Sequence, residues 1–118
     1  MEKDIFCQIV AGDIPSPRIY ENKSVIVIRD INPKAPVHDL IITKKHIEML
    51  EDLTEADSGI IADILLAAKE VVKIEGIEKK GYRLISNYGK DGGPLVKHMH
   101  FHILGGKSLG PKLLTTDK

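Results

Sequence analysis

Three of the five histidines in this 118-residue chain stand at alternate positions of one short apolar stretch, "VKHMHFHILGG", residues 96–106. Side chains along a β-strand alternate between its two faces, so the spacing predicts that His98, His100 and His102 share one face. A buried sheet face usually carries aliphatic side chains, and a solvated one more often carries lysine, glutamate or threonine. The histidine face is therefore predicted to line a functional site. The opposite, core-facing side of the strand carries Met99, Phe101 and Ile103.

A metal centre is one chemistry that such a face could support, because neutral imidazole is the commonest zinc ligand in proteins. His98 and His102 lie about 13 Å apart on a strand that rises ~3.3 Å per residue, too far for both to reach one ion through bonds of ~2 Å. At most two of the three can share a metal, with His38 available to complete the set. The spacing therefore allows zinc without favouring it, and we expect no required cofactor.

Nucleophilic catalysis at a phosphate fits the spacing better, because the middle histidine of three can touch a single reacting atom. This makes His100 the predicted nucleophile, with His98 and His102 binding charge on the phosphate oxygens and managing protons at the leaving group. An imidazole with a pKa of about 6.5 is largely neutral at pH 7 and can attack through one nitrogen while an acceptor holds the other. The phosphorus–nitrogen bond that forms is labile, so water can complete the reaction.

Composition limits the other classes of function. Lysine plus arginine number 17, as do aspartate plus glutamate, so the net charge near zero gives no support for a nucleic-acid surface. The single cysteine, Cys7, rules out an internal disulfide and a cysteine zinc cage. The charged N-terminal stretch lacks the apolar core of a signal peptide, and no run approaches the ~20 apolar residues of a membrane span. We therefore expect a cytoplasmic protein with no nucleic-acid or membrane partner.

The first half of the chain predicts a short helix followed by strands. Residues 4–12, "DIFCQIVAG", carry Ile5, Ile9 and Val10 at helical spacing and end at Gly12, a residue type that stops helices. The segments "SVIVIRDI" and "HDLIIT" are rich in β-branched residues, which favours two strands on either side of the bend "NPKAP".

The second half predicts a long helix and two further strands. Apolar residues recur at helical spacing from Thr54 to about Ile74, Thr54 and Asp57 resemble a capping box, and Gly76 marks the end. The segments "YRLISNYG" and "VKHMHFHIL" predict strands joined by the glycine-rich "GKDGG". This order indicates one α+β domain over residues 1–118, an antiparallel sheet with the long helix on one face.

Three segments resemble the histidine triad (HIT) family of nucleotide hydrolases and transferases. "HMHFHIL" with the following "GG" is similar to the family's His-x-His-x-His-x-x signature. "DIFCQIVAGDIPSPRIYENKSVIVIRDINPKAPVHDLIITKKHI" resembles the N-terminal half of the Hint branch, the histidine triad nucleotide-binding proteins, and "SNYGKDGG" resembles its loop before the triad. The resemblance spans about residues 4–107. It implies a HIT-like fold, an antiparallel five-stranded sheet with a long helix and a short N-terminal helix, assembled as a homodimer.

The resemblance also implies a reaction, the hydrolysis of nucleoside phosphoramidates and related phosphate esters or anhydrides through a nucleotidyl group carried on His100, without a metal. The implied ligand is a purine nucleoside monophosphate such as AMP. The implied catalytic residues are His100, His98, His102 and His38. The implied nucleotide-binding residues are Asp30 at the ribose, Ile31, Phe6 and Ile9 around the base, and Asn87, Gly92, Gly93, Leu95 and His102 near the phosphate.

Some of these positions have simpler explanations in the residues alone. Without the resemblance, Phe6, Ile9 and Ile31 would be interpreted as residues of the hydrophobic core, and Asn87 as a turn residue. His46, in "KKHI", is predicted to help start a short helix and is given no catalytic part.

Two departures from the family leave the leaving group open. Pro94 and Leu95 stand where the family usually has glutamine and then serine or threonine, so an amide donor and a hydroxyl are both missing. The chain has no tryptophan, whereas the Hint branch commonly ends in a tryptophan-containing tail. Two alternatives therefore stay open: a nucleotide-binding or scaffold protein with little turnover, and a dinucleoside polyphosphate hydrolase.

Overall fold

The computed structural model describes residues 4–94 and 96–111. Within these two ranges, five strands form one antiparallel sheet in the order β1-β2-β3-β5-β4, in agreement with the predicted α+β class. Two short 3₁₀ turns, Leu50–Asp52 and Glu55–Asp57, precede the long helix. No helix within the described ranges has the length and apolar composition to cross a membrane. The elements are α1 Ile5–Ala11, β1 Arg18–Glu21, β2 Val25–Arg29, β3 Val37–Thr43, α2 Ser58–Ile74, β4 Tyr82–Ile85, α3 Gly89–Gly92 and β5 His100–Gly105.

The N-terminal helix α1 has a defined cap at each end. The Asp4 carboxylate accepts a hydrogen bond from the Cys7 amide at 2.7 Å, which satisfies one of the donors that a helix start leaves open. Gly12 ends the helix with φ +84°, a left-handed conformation that glycine adopts without penalty. The predicted helix and its stop are therefore confirmed.

The long helix α2 begins later than its sequence pattern suggested. Thr54 and Asp57 interact as predicted, the Thr54 amide donating to the Asp57 carboxylate at 3.0 Å, but this contact caps a 3₁₀ turn. The α-helix proper starts at Ser58. Its end agrees with the prediction, because the helix stops at Ile74 and Gly76 follows with φ +72°.

The two central strands are buried on both faces, which explains their nearly continuous apolar sequences. On one face, Val25, Val27 and Ile41 pack against α2. On the other face, β2 and β3 contribute Ile26, Ile28, Leu40 and Ile42, which pack with Phe6 and Ile9 of α1. The alternation along residues 99–103 follows the same division, so Met99, just before β5, and Ile103 join the α2 side of the core.

Two details of the sheet differ from the local sequence pattern. Strand β1 has no strong pattern of its own, because it is a short edge strand whose pairing with β2 is irregular between Arg18 and Tyr20. The two predicted strands do pair as β4 and β5, but the predicted connection "GKDGG" is too short, because β4 ends at Ile85 and β5 begins only at His100. Glycines in this connection form the single turn α3, with Gly89 and Gly93 in the left-handed region, and so prevent the strands from continuing.

A buried carboxyl group lies between β3 and the end of α2. Asp39 is 1% exposed, and its Oδ2 is the one buried side-chain oxygen or nitrogen without a hydrogen-bond partner in the described ranges. Burial, together with the neighbouring Glu75, raises the pKa of Asp39 to about 8. When Asp39 is protonated, it can donate a hydrogen bond to the Glu75 carboxylate, which two ionised carboxylates could not form. Arg29 forms an ion pair with the same Glu75 carboxylate at 3.1 Å.

The free energy of unfolding should depend on pH through Asp39. Its folded-state pKa lies above that of the unfolded chain, so the folded state binds the extra proton between about pH 4 and about pH 8. Stability from this group is complete below that window and is lost as the pH rises through it. An Asp39→Asn variant keeps a donor toward Glu75 and cannot ionise. We expect its melting temperature relative to wild type to rise by several degrees between pH 5 and pH 9.

The exposed Glu78→Gln serves as the control, and its melting temperature should follow wild type at every pH. Parallel curves for wild type and Asp39→Asn would contradict the assignment of a buried, protonated Asp39.

Candidate active site

Strand β5 presents two of the three alternating histidines to a cavity of about 520 Å³. We call it the main cavity because these histidines line it, although a hollow of about 740 Å³ lies elsewhere, beside Val37 and Glu75. The register of β3 and β5 sets His100 opposite Ile42 and His102 opposite Leu40. Both imidazoles therefore lie on the sheet face that α1 covers. The predicted residues that line this cavity are Phe6, Ile9, Asp30, Ile31, Asn87, Gly93, His100 and His102.

His100 is held in one tautomer by the backbone beside it. Its Nδ1 lies 2.6 Å from the carbonyl oxygen of His98, and because a carbonyl only accepts, Nδ1 must carry the hydrogen. The lone pair of the neutral ring is then on Nε2. Burial lowers the pKa of His100 below its usual value, which keeps the ring neutral at pH 7. The edge-to-face contact with Phe6, with ring centroids 4.9 Å apart, fixes the plane of the ring.

His38 and His102 form a chain of hydrogen bonds in which each ring carries its hydrogen on Nε2, the opposite tautomer to that of His100. The Lys34 amide donates to His38 Nδ1 at 3.0 Å, so the hydrogen of neutral His38 is on Nε2. His38 Nε2 then donates to His102 Nδ1 at 2.9 Å, which leaves the hydrogen of His102 on its own Nε2. Burial, reinforced by the neighbouring His100 and His38, lowers the pKa of His102 to about 4. The cavity therefore contains one imidazole lone pair on His100 and one imidazole N–H on His102.

Asp30 closes the other side of this histidine pair. Its Oδ1 accepts the Asn32 amide at 2.8 Å, and its Oδ2 lies 3.4 Å from His38 Nε2. The carboxylate lines the main cavity, where its remaining lone pairs can accept hydrogen bonds from a pair of hydroxyl groups.

The apolar part of the cavity combines core residues with one side chain that has no core role. Phe6 and Ile9 are buried and pack against β2 and β3. Ile31 lines the same cavity but is 91% exposed, so it contributes little to the core. Such an exposed aliphatic side chain beside an apolar cavity is available to cover a flat ring.

The loop before β5 contributes Asn87, Gly93 and Pro94 to the cavity. Gly92 is not part of that lining. The Gly93 amide donates to the Gly89 carbonyl at 3.3 Å, so in this conformation that hydrogen is used within the loop. Leu95, also predicted to contact the nucleotide, lies outside the described residues.

Comparisons with known proteins agree with this geometry. The HIT domain family profile matches residues 11–109. The purine nucleoside phosphoramidase of Escherichia coli (strain K12) is 39% identical over 112 residues, covering 95% of this chain and 94% of that protein. A HIT family hydrolase from Clostridium thermocellum superposes with a TM-score of 0.91 at 47% identity, covering 97% of this chain and 99% of that one. A histidine triad nucleotide-binding protein from Candida albicans gives 0.74 at 32% identity, covering 84% and 71%.

This chain belongs to the HIT family. The five-stranded sheet implied by the family resemblance is therefore confirmed, including the strand β1 that local patterns did not reveal.

The first histidine of this HIT motif occupies a different place from the other two. His98 precedes β5, is 1% exposed and is absent from the lining of the main cavity. Its Nε2 lies 2.7 Å from the Thr43 carbonyl, and its Nδ1 lies 3.2 Å from both oxygens of Asp4. The sequence placed His98 at the phosphate, whereas the structure places it behind His100, where its backbone carbonyl holds that residue's ring.

His46, in the "KKHI" segment, lies beside His98. Its Nδ1 is 3.0 Å from Asp4 Oδ2 and 3.3 Å from Cys7 Sγ. The predicted role at a helix start is wrong, because the 3₁₀ turn that follows has Met49 at its cap position. His46 instead joins a group of four side chains, which we call the Asp4 cluster: Asp4, Cys7, His46 and His98.

Sequence reasoning also missed the segment that follows α1. Ile14, Pro15 and Ser16 line the main cavity of this HIT domain, as does Val96 before the triad. The available signal was the run "GDIPS", which belongs to the segment resembling the Hint branch.

The tautomers in this HIT site can be tested directly by nitrogen-15 NMR of histidine-labelled protein. We expect the Nδ1-protonated form for His100 and the Nε2-protonated form for His38 and His102. Because the pKa of His102 is lowered to about 4, its ring should stay neutral as the pH falls from 8 to about 5. A His102 resonance that titrates near pH 6.5, or that reports a protonated Nδ1, would contradict the hydrogen-bond chain through His38.

Proposed function

We propose that this HIT protein is a purine nucleotide phosphohydrolase that cleaves nucleoside phosphoramidates. The observation that carries the proposal is the pairing of the His100 Nε2 lone pair with the His102 Nε2–H at one cavity. A nucleophile and a hydrogen-bond donor side by side suit attack on a phosphorus atom whose oxygens gain charge.

The reaction then has two steps. His100 Nε2 attacks phosphorus, the bond from phosphorus to the leaving amine breaks, and the amine takes up a proton from water as it departs. Water next attacks phosphorus, the bond to Nε2 breaks, and a proton is released as the nucleoside monophosphate forms. During both steps the His102 N–H donates to a phosphate oxygen, and the His98 carbonyl accepts from Nδ1 as positive charge develops on the His100 ring.

The remainder of the main cavity supports a purine nucleoside monophosphate such as AMP as the bound part of the substrate. Phe6, Ile9 and Ile31 provide an apolar slot of the kind that encloses a planar base. Asp30 lines the same cavity and can accept from both ribose hydroxyls. Both steps of the reaction use imidazoles of the chain itself, and we propose that the reaction needs no cofactor.

A nucleotide-binding protein with little turnover is the second candidate, and Pro94 favours it. This residue lines the main cavity and has no backbone N–H to offer a phosphate oxygen or a leaving group. The two candidates share one ligand and differ in whether a covalent intermediate forms.

We further propose that the protein acts as a homodimer in the cytoplasm. A monomer would leave Leu65, Leu66 and Ile74 of α2 and Tyr82 of the edge strand β4 facing water. A two-fold contact through these residues would cover them and extend the sheet. The lone cysteine in the sequence agrees with a reducing compartment.

The covalent intermediate gives the decisive test of catalysis. Wild-type protein mixed briefly with adenosine phosphoramidate should gain the mass of one adenylyl group and release the amine. His100→Gly should show neither, because the nucleophile is removed, and added free imidazole should restore part of the turnover by attacking in its place. Circular dichroism checks that the variant is folded.

Tight AMP binding by wild type without adduct or amine release would favour the binding protein. Equal turnover by wild type and His100→Gly would remove His100 from the mechanism.

The apolar slot is tested through Ile31. Replacing it with serine should weaken AMP binding by roughly tenfold, because about 1–2 kcal/mol of aliphatic contact with the base is lost. The melting temperature should stay unchanged, since Ile31 is exposed in the unliganded protein. Leu50→Ser, at another exposed aliphatic residue, is the control and should leave AMP affinity at the wild-type value. Calorimetric titration measures both, and equal affinities for the two variants would exclude Ile31 from the site.

A further inference from the structure

The backbone of His100 lies just beyond the point where the sheet stops holding it on one side. Strand β4 pairs with β5 only as far as Ile85, which lies opposite His102. On the β3 side, the carbonyl of the preceding residue, Met99, accepts the Thr43 amide at 3.3 Å. Backbone groups of successive strand residues point to alternate neighbours, so the His100 carbonyl faces the β4 side. There the regular pairing has already ended.

Ser86, the residue directly after β4, supplies a donor at this position. Its hydroxyl donates to the His100 carbonyl oxygen at 2.7 Å. A side chain therefore takes the place of the backbone amide that a longer β4 would have offered. Ser86 lies outside the lining of the main cavity, so this contact reaches His100 from behind.

The hydroxyl of Tyr88 completes a hydrogen-bond chain that runs in one direction. It lies 2.7 Å from Ser86 Oγ, and because the single hydrogen of Ser86 goes to the His100 carbonyl, Tyr88 must be the donor of this bond. Burial raises the pKa of the Tyr88 hydroxyl, so it keeps its hydrogen at neutral pH. Hydrogen bonds arranged in such a chain polarise and strengthen one another.

The ring of Tyr88 is itself fixed by packing. It lies against the core cluster on the α2 side of the sheet. It also lines a second cavity of about 380 Å³, which borders the main cavity at Asn87 and Pro94. The hydrogen-bond chain therefore connects a side chain held by the core to the residue that carries the proposed nucleophile.

We propose that Ser86 and Tyr88 are positioning residues that hold His100 where its Nε2 can attack phosphorus. This inference rests on the proposed function, because it concerns the same nucleophile. The His98 carbonyl orients the ring of His100, whereas the Ser86 hydroxyl fixes the backbone that carries that ring. A misplacement of about 1 Å at a reacting group can cost about a hundredfold in rate. Neither hydroxyl lines the main cavity, so their removal should slow the reaction and leave nucleotide binding intact.

The split between rate and affinity tests this role. Ser86→Ala should form the adenylyl adduct from adenosine phosphoramidate roughly tenfold more slowly, because the backbone of His100 loses an anchor. Its affinity for AMP, measured by calorimetric titration, should equal that of wild type. Ser86→Thr keeps the hydroxyl and should recover most of the rate. Tyr88→Phe keeps the packed ring and should slow the adduct about threefold, because only the far end of the chain is lost.

Two matched variants remove a hydroxyl elsewhere in the chain. Ser108→Ala, after β5, and Tyr20→Phe, on the edge strand β1, should both form the adduct at the wild-type rate. A wild-type rate in Ser86→Ala would overturn the proposal. So would a loss of AMP affinity as large as the loss of rate, since that result would place Ser86 at the nucleotide.

A change of leaving group separates positioning from direct contact with the substrate, because Tyr88 also lines the second cavity. A residue that acts through His100 should matter equally for every leaving group. Tyr88→Phe should therefore slow adduct formation by the same factor whether the amine released is ammonia or an aromatic amine. A loss confined to the aromatic amine would overturn the positioning role and make Tyr88 a contact of the leaving group.

The hydrogen bond itself is tested without any nucleotide. Carbon-13 NMR of protein labelled at the His100 carbonyl should show this resonance moving upfield in Ser86→Ala and remaining in place in Ser108→Ala. An unmoved resonance in Ser86→Ala would overturn the contact. Absence of adduct and of turnover in wild type would instead overturn the proposed function, so the two failures are distinguishable.

Discussion

The hydrogen bond from His100 Nδ1 to the His98 carbonyl is the contact on which the chemistry proposed for this protein depends. At 2.6 Å it decides which nitrogen of His100 has a free lone pair, and no side chain is needed to make that choice. The carbonyl can play this part because β5 begins only at His100, so the preceding peptide is outside the regular ladder. Antiparallel pairing of β5 with β3 then brings His102 beside His38. The same register therefore positions both the proposed nucleophile, His100, and the proposed donor, His102.

The two faces of the sheet separate the histidines of the candidate site from the packing against α2. Residues of β5 that point toward α2 are apolar and belong to one core cluster, while those that point toward α1 are the imidazoles. The central strands β2 and β3 isolate the two sides, because each is buried on both faces. A change to the histidine face therefore need not disturb the packing of α2, which allows the same fold to keep a reactive face.

The sequence predicted the parts of this arrangement that follow from local patterns. Alternation correctly assigned His100 and His102 to one face and Ile103 to the other, and the glycine stops ended both α1 and α2. Strand β1 and the loop contacts of Ile14 and Pro15 had no periodic signal, and the family resemblance supplied the fifth strand. The Asp4 cluster was missed because its members come from three separate segments. Alternation also placed His98 with its neighbours at the phosphate, whereas its ring contacts Asp4 and the Thr43 carbonyl and is absent from the lining of the main cavity.

Burial shifts the pKa of the two kinds of ionisable group in opposite directions, and in both cases it favours the uncharged form. A low-polarity surrounding disfavours charge, so it lowers the pKa of His100 and His102 and raises that of Asp39. For the histidines the result is a neutral ring with an available lone pair. For Asp39 the result is a retained proton that Glu75 can accept in a hydrogen bond, with Arg29 balancing the remaining charge. Asp39 lies one residue from His38 but points to the other side of the sheet. The dry interior that keeps the imidazoles of the candidate site uncharged therefore also requires a protonated carboxyl group where β3 meets α2.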